Sequence, residues 1–176
     1  MSSSEHAFHL HRFVSPIGTI LLVTDSAGVL RALDFSDYEP RMHRLLLRHY
    51  DDHSLIETKI PEQLSALLHR YFEGEVSVLS AIHCATNGTK FQQGIWRALR
   101  MIEAGRTQTY GELGAQLGLA NAARAVGLAN GANPIAIVIP CHRLIGANGQ
   151  LTGYAGGLGR KQWLLAHEHA FRNISA

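Results

Sequence analysis

Cys141, His142 and Arg143 stand in a row behind Pro140, at the end of the apolar run Ile137-Val138-Ile139. A thiol flanked by an imidazole and a guanidinium is a candidate nucleophile, because positive surroundings favour the thiolate and the thiolate is what attacks. An imidazole titrates near neutrality and can take up the thiol proton. The other reading of the same residues is a small core cysteine, since free Cys is often buried and inert. This segment alone leaves both open. The only other cysteine is Cys84, far away in sequence and without a CxxC partner. Neither a disulfide framework nor a thiolate zinc site is expected, and a free reactive thiol suits a reducing cytoplasm. His6, His9 and His11 lack a nearby Cys to complete a metal site and read as solvated histidines.

The elements that must position these groups follow from pattern. Residues 137–139 read as a buried strand, and Pro140 cannot donate to a sheet ladder. Cys141 is therefore expected where a strand leaves the core. Upstream, residues 8–14, 19–24 and 29–35 read as a meander, joined by turns at Ser15-Pro16-Ile17-Gly18 and Asp25-Ser26-Ala27-Gly28. A helix is predicted from Pro40 to about His49, and another between Pro61 and Gly74 with Leu64, Leu67, Leu68, Tyr71 and Phe72 on one stripe. Val76 to Ile82 reads as a short strand, and residues 85–90 as a linker. The expected organisation is an N-terminal lobe over 1–84 and a C-terminal lobe over 91–176.

Thr89 caps a helix carrying Phe91, Ile95, Trp96, Leu99 and Ile102. Thr109-Tyr110-Gly111-Glu112 matches a capping box, opening a helix with Leu113 and Leu117 inward. Asn121 is placed to cap a second short helix, Ala122 to about Asn130. Two short helices with a brief turn form a helix-turn-helix pattern, by itself a weak sign of DNA binding. The second helix has small side chains at Ala123, Ala125 and Gly127, with Arg124 its one large charged residue. Leu144-Ile145 reads as a strand, Thr152 to Gly157 as a loop with little bulk, and Arg160 to about His169 as a last helix with Glu168 near its end.

Net charge is +2, split unevenly. Residues 1–88 hold 7 Lys/Arg against 11 Asp/Glu, and residues 89–176 hold 9 against 3. A basic C-terminal half suggests contact with a polyanion, or an ordinary solvated surface. No stretch reaches 18 apolar residues, so no membrane helix is expected. The start, Met1 to His6, lacks a basic and apolar leader and reads as a frayed end. The expected location is cytoplasmic.

Taken together, these segments resemble the O6-alkylguanine-DNA alkyltransferases of the bacterial DNA-repair type over nearly the whole chain. The match rests on Asn121 to Gly127 with Arg124, Asn133-Pro134, Pro140-Cys141-His142-Arg143, Thr152 to Gly157, and Trp163 to Glu168, in order. The resemblance implies an α+β fold. Its N-terminal lobe would be ribonuclease H-like with an antiparallel sheet, and its C-terminal lobe winged-helix-like with a helix-turn-helix. It implies that alkylated duplex DNA is the partner, with the damaged base flipped out of the stack. Cys141 would accept the alkyl group permanently, in one turnover and without a cofactor. His142 would draw off the thiol proton, Glu168 would orient His142, Asn133 would join that chain, and Tyr110 would donate to the departing guanine. Arg124 would enter the vacated stack, and Ala123, Ala125 and Gly127 would meet DNA. Tyr154, Ala155, Gly156 and Pro140 would line the base pocket, while Arg143 would serve structure and electrostatics.

Some relatives carry N-terminal zinc ligands that this chain lacks, so no metal is expected. Some have Ser at the place of Ala155, where a backbone amide is used. The resemblance further implies a monomer, with clustering on DNA left open, and O4-alkylthymine as a second substrate. Two other readings remain: a cysteine hydrolase, which would turn over, and a damage sensor, against which the presence of Cys141 argues.

Overall fold

A computed structural model describes residues 6–169; the expected frayed start lies almost wholly outside them. Strands β1 (His6–Ser15), β2 (Gly18–Thr24) and β3 (Leu30–Phe35) form the predicted antiparallel meander. Ser15 Oγ donates to the Gly18 carbonyl at 2.6 Å across the first turn, where Gly18 adopts φ 115°. In the second turn the Asp25 carboxylate accepts from Ala27 and Val29 N–H at 2.9 and 3.0 Å. Helix α1 (Glu39–Tyr50) buries Met42, Leu46 and Tyr50, one residue per turn. It crosses to β4 (His53–Glu57), which pairs parallel to β1 and completes the order β3-β2-β1-β4.

The central strand explains its own sequence. Ile20, Leu21, Leu22 and Val23 are all fully buried, because both faces of β2 are covered. Leu21 and Val23 pack with Phe8, Leu10, Met42 and Leu46 under α1. Ile20 and Leu22 point the other way, into a core that runs on through the C-terminal half. A strand buried on both sides reads as a continuous apolar run instead of an alternation.

Helix α2 (Glu62–Phe72) buries Leu64, Leu68 and Tyr71, and the chain reverses at Gly74, φ 119°. The strand expected over Val76 to Ile82 is not formed. Val78–Ala81 is a 3₁₀ turn whose neighbourhood turns the carbonyls of Leu79, Ser80 and Ile82 toward the Arg100 guanidinium, away from any ladder. Helix α3 (Lys90–Arg100) opens with a capping box between Thr89 and Gln92. Its Trp96 lies so close to Gly88 that a Cβ there would sit 2.7 Å from the ring. Phe91, expected inward, is 39% exposed.

The two-residue strands β5 (Gln108–Thr109) and β6 (Leu144–Ile145) pair in parallel. Helix α4 (Tyr110–Gln116) starts at the predicted Thr109–Glu112 capping box, but Leu117 falls beyond its end and is 40% exposed. Helix α5 (Ala123–Gly131) has Ala122, not the expected Asn121, at its N-cap position. Asn121 instead takes a left-handed φ of 53°, which Asn tolerates, and turns the chain between the two helices. Helix α6 (Leu158–His167) closes the described fold. One core joins Phe13, Leu33 and Tyr71 to Ile95, Trp96 and Leu164, so the two halves share a single interior.

Candidate active site

The segment before Cys141 is a turn, not the expected strand. Asn133 organises it: its Oδ1 accepts from Ile135 N–H at 3.0 Å, and its Nδ2 donates to the Ile139 carbonyl at 2.8 Å. Main-chain bonds join Val138 to Ala136, Ile139 to Ile135 and Cys141 to Ile139. Ile137 takes φ 68°, a conformation that a β-branched residue rarely adopts. The apolar run has the composition of a strand because it is buried, yet contact with the sheet is made just upstream of it, where Leu33 exchanges main-chain bonds with Pro134 and Ala136. Cys141 then opens a single 3₁₀ turn, Cys141–Arg143.

Cys141 lines a cavity of about 250 Å³ together with Tyr110, Gly127, Asn130, Tyr154 and Ala155. That is room for one planar base and a small substituent. Tyr110 is held across the cavity by its hydroxyl, which donates to the Thr152 carbonyl at 3.2 Å. Two expected pocket residues lie elsewhere. Gly156 packs against Phe35, where a Cβ would stand 2.6 Å from the ring. Pro140 faces a separate cavity beside Ile102 and Arg143. Ala123, Arg124 and Ala125 are exposed on α5, one turn ahead of Gly127.

Behind Cys141 lies a buried charged network. His142 Nε2 meets Glu168 Oε2 at 3.0 Å, with both side chains fully buried. Arg143 grips the same carboxylate with two prongs, at 2.9 and 3.0 Å, and donates to the Ile102 carbonyl at 2.6 Å. Tyr71, from the N-terminal half, donates its hydroxyl to Glu168 Oε2 at 2.6 Å. Burial works against an ionised Glu168, but His142 and Arg143 outweigh it and hold the carboxyl well below the usual range. Burial pushes the His142 imidazole down, and Glu168 pulls it back only in part. A neutral imidazole bonded to a carboxylate through Nε2 must donate there, leaving the lone pair on Nδ1. Nδ1 is buried and makes no hydrogen bond among the described residues. Burial pushes the Cys141 thiol up, while Asn133, Arg41 and Lys161 draw it down. The resting sulfur is therefore a thiol that needs a base.

Three residues of this setting carry no sequence signal. Tyr71 sits on an apolar helical stripe and reads as core. Lys161 is fully buried, donates to the Leu144 and Thr152 carbonyls at 2.6 and 2.8 Å, and is lowered by burial to about 8. Arg41 reaches from α1 to Asp34 and to the Gly131 and Asn133 carbonyls, tying one half to the turn before Cys141. Only long-range contact reveals such roles. His11, read as solvated, is buried and bonds Thr24 Oγ1 at 2.8 Å. His6 lies on the opposite face of β1, stacked on Phe8.

A sheet-bearing half and a half with paired short helices, sharing one core around a buried Cys-His-Glu array, define a cysteine-centred α+β protein. Comparison narrows the class. Residues 10–84 match the 6-O-methylguanine DNA methyltransferase ribonuclease-like domain, and residues 90–170 match the DNA binding domain of the same name. The chain is 49% identical to the methylated-DNA–protein-cysteine methyltransferase of Salmonella typhimurium over 159 residues, 89% of this chain and 93% of the relative. It is 43% identical to that of Mycobacterium bovis over 162 residues, 91% and 92% of the two chains. A crystal structure of Mycobacterium tuberculosis OGT in complex with DNA superposes with a TM-score of 0.77 at 41% identity, covering 92% of this chain and 93% of that one. The chain belongs to the 6-O-methylguanine DNA methyltransferase family. Its activity is that of a methylated-DNA–protein-cysteine methyltransferase, and its work is the repair of alkylated DNA.

Proposed function

We propose that the chain binds duplex DNA through α4 and α5, everts O6-alkylguanine into the cavity beside Cys141, and takes the alkyl group onto that sulfur. A stacked base offers no in-line path to a protein sulfur, so eversion must precede transfer. Arg124, exposed ahead of the cavity on α5, fills the vacated stack, with Ala123, Ala125 and Gly127 allowing close approach. His142 Nδ1 takes the thiol proton, directly or through a water. The thiolate attacks the alkyl carbon, a sulfur–carbon bond forms, and the carbon–oxygen bond breaks with its electron pair passing to the guanine ring. Tyr110 donates to a ring nitrogen as that charge develops. One proton leaves the thiol and one arrives at the base, so the products are a thioether and neutral guanine. Glu168 orients His142 and stabilises its charged form. Tyr154 and the Ala155 amide frame the base.

The observation that carries this reading is the buried Cys141 opening onto a base-sized cavity with the His142–Glu168 pair behind it. A thioether has no ready leaving route, so each molecule acts once. No metal or organic cofactor enters any step. The same chemistry extends to O4-alkylthymine, and a single chain suffices for it. The protein works where the DNA is, in the cytoplasm; among the described residues no helix is long and apolar enough to cross a membrane.

The test is incubation with a duplex bearing one O6-methylguanine, followed by peptide mapping. The expected result is one methyl group per chain, on Cys141, with guanine restored. An unmodified Cys141 on folded protein after prolonged exposure would overturn the assignment. An O4-methylthymine duplex tests the second substrate in the same way.

A further inference from the structure

A second groove lies beyond α5 from the Cys141 cavity. Its volume is about 420 Å³; Arg41, Arg44 and Arg48 of α1 form one wall, and Gly127, Leu128 and Gly131 of α5 the other. Gly127 and Gly131 also line the Cys141 cavity. Two glycines of α5 thus border both spaces.

Arg41, Arg44 and Arg48 follow at i, i+3 and i+7, so they share one face of α1. Arg41 is committed: it pairs with Asp34 at 2.7 Å and donates to the carbonyls of Gly131, the last residue of α5, and Asn133. Arg44 and Arg48 are exposed, and neither forms an ion pair with a carboxylate among the described residues. They belong to the acidic half of the chain, with 7 Lys/Arg against 11 Asp/Glu over residues 1–88. Two uncompensated guanidiniums aimed along the back of the base-receiving helix therefore run against the charge of their own lobe. A guanidinium in a groove that borders a base pocket across one helix suits a phosphate, which it can grip with two parallel donors.

We propose that Arg44 and Arg48 extend the DNA interface onto the N-terminal lobe by holding the sugar-phosphate backbone next to the everted nucleotide. This rests on the eversion reading above. The N-terminal lobe then meets DNA itself, and its contribution is electrostatic and blind to base sequence. Each phosphate neutralised releases condensed counterions, steepening the salt dependence of log Kd by about 0.9.

The experiment compares the full chain with the Arg44→Ala/Arg48→Ala and Arg44→Lys/Arg48→Lys variants. Binding to an O6-methylguanine duplex is followed by anisotropy in a Cys141→Ser background, which leaves the lesion in place. Between about 50 and 200 mM salt, the alanine pair should flatten the log–log slope by about 1.8, so its affinity deficit shrinks about 12-fold across that range. The lysine pair should keep the slope. With Cys141 restored, transfer from the duplex should slow in the alanine pair, while transfer from the free O6-methylguanine base stays at the unsubstituted rate. An unchanged slope in the alanine pair overturns the proposal, and so does an equal loss on the free base, which would mean a distorted site. If the unsubstituted chain binds the duplex but never becomes methylated, the eversion reading falls instead, whatever the slopes.

Discussion

Glu168 accepts from His142, from both prongs of Arg143 and from Tyr71, all in the interior. Its charge is what allows Arg143 and His142 to be buried there. Glu168→Gln should therefore act twice. It leaves the Arg143 cation without a counter-charge, at a cost of about 3–5 kcal/mol, read as a melting temperature lower by roughly 10 °C. It also removes the pull that raises the His142 pKa, so the acid limb of the transfer rate should move to lower pH. Folding stability has a definite sign here. The unfolded imidazole takes a proton below about pH 6.5, while the buried one resists, so stability falls as pH drops through that value. Glu168, held low in the fold, contributes fully above its unfolded pKa of about 4.3, and that contribution is lost as pH falls through the folded value. Urea unfolding at about pH 7 and 5 checks the direction; equal stabilities would contradict it.

At the scale of elements, α5 shows how composition and position combine. A glycine inside a helix costs about 1 kcal/mol relative to alanine. A Cβ on Gly127 would meet only the Tyr110 ring, at 3.8 Å, an ordinary contact. Gly127→Ala should therefore raise the melting temperature by about 2–4 °C. The same methyl group narrows the wall of the base cavity, and transfer from a lesion duplex should slow by about 10-fold or more, as small misplacements at a reacting centre do. A more stable variant with undiminished transfer would show that this glycine serves folding alone. The elements also mark where pattern misled. Residues 137–139 have the apolar content of a strand, but Asn133 bonds across them and closes a turn. Residues 76–82 have β-branched residues, but Arg100 gathers their carbonyls. β4 is short, partly exposed and without alternation, so nothing local announces it; only its parallel register with β1 defines it.

Across the whole molecule, the two halves pack around one core. Their shared core and the Arg41 staple place Tyr71, Asp34 and the turn before Cys141 in a single packed arrangement. A methyl group on Cys141 projects into the cavity walled by Asn130 and Tyr154, and it disturbs the hydrogen bond between the sulfur and the Asn133 side chain. Losing a buried hydrogen bond costs about 0.5–1.5 kcal/mol. The alkylated protein should melt a few degrees below the free one, about 2–4 °C per kcal/mol for a chain of this size. An identical melting curve after stoichiometric methylation would count against this.

The sequence by itself determined the parts whose physics is local: the meander with its turns, the capping boxes at Thr89 and Thr109, the apolar stripes of α1 to α3, and the Pro-Cys-His-Arg run. Turn chemistry, capping and periodicity are short-range, so they are written in neighbouring residues. Tertiary structure alone decided that Tyr71 reaches Glu168 across 97 residues, that Lys161 is buried, and that three arginines of an acidic half line the back of α5. Burial, ion pairing and groove formation depend on which surfaces meet when the chain closes on itself. No window of sequence contains both sides of such a contact.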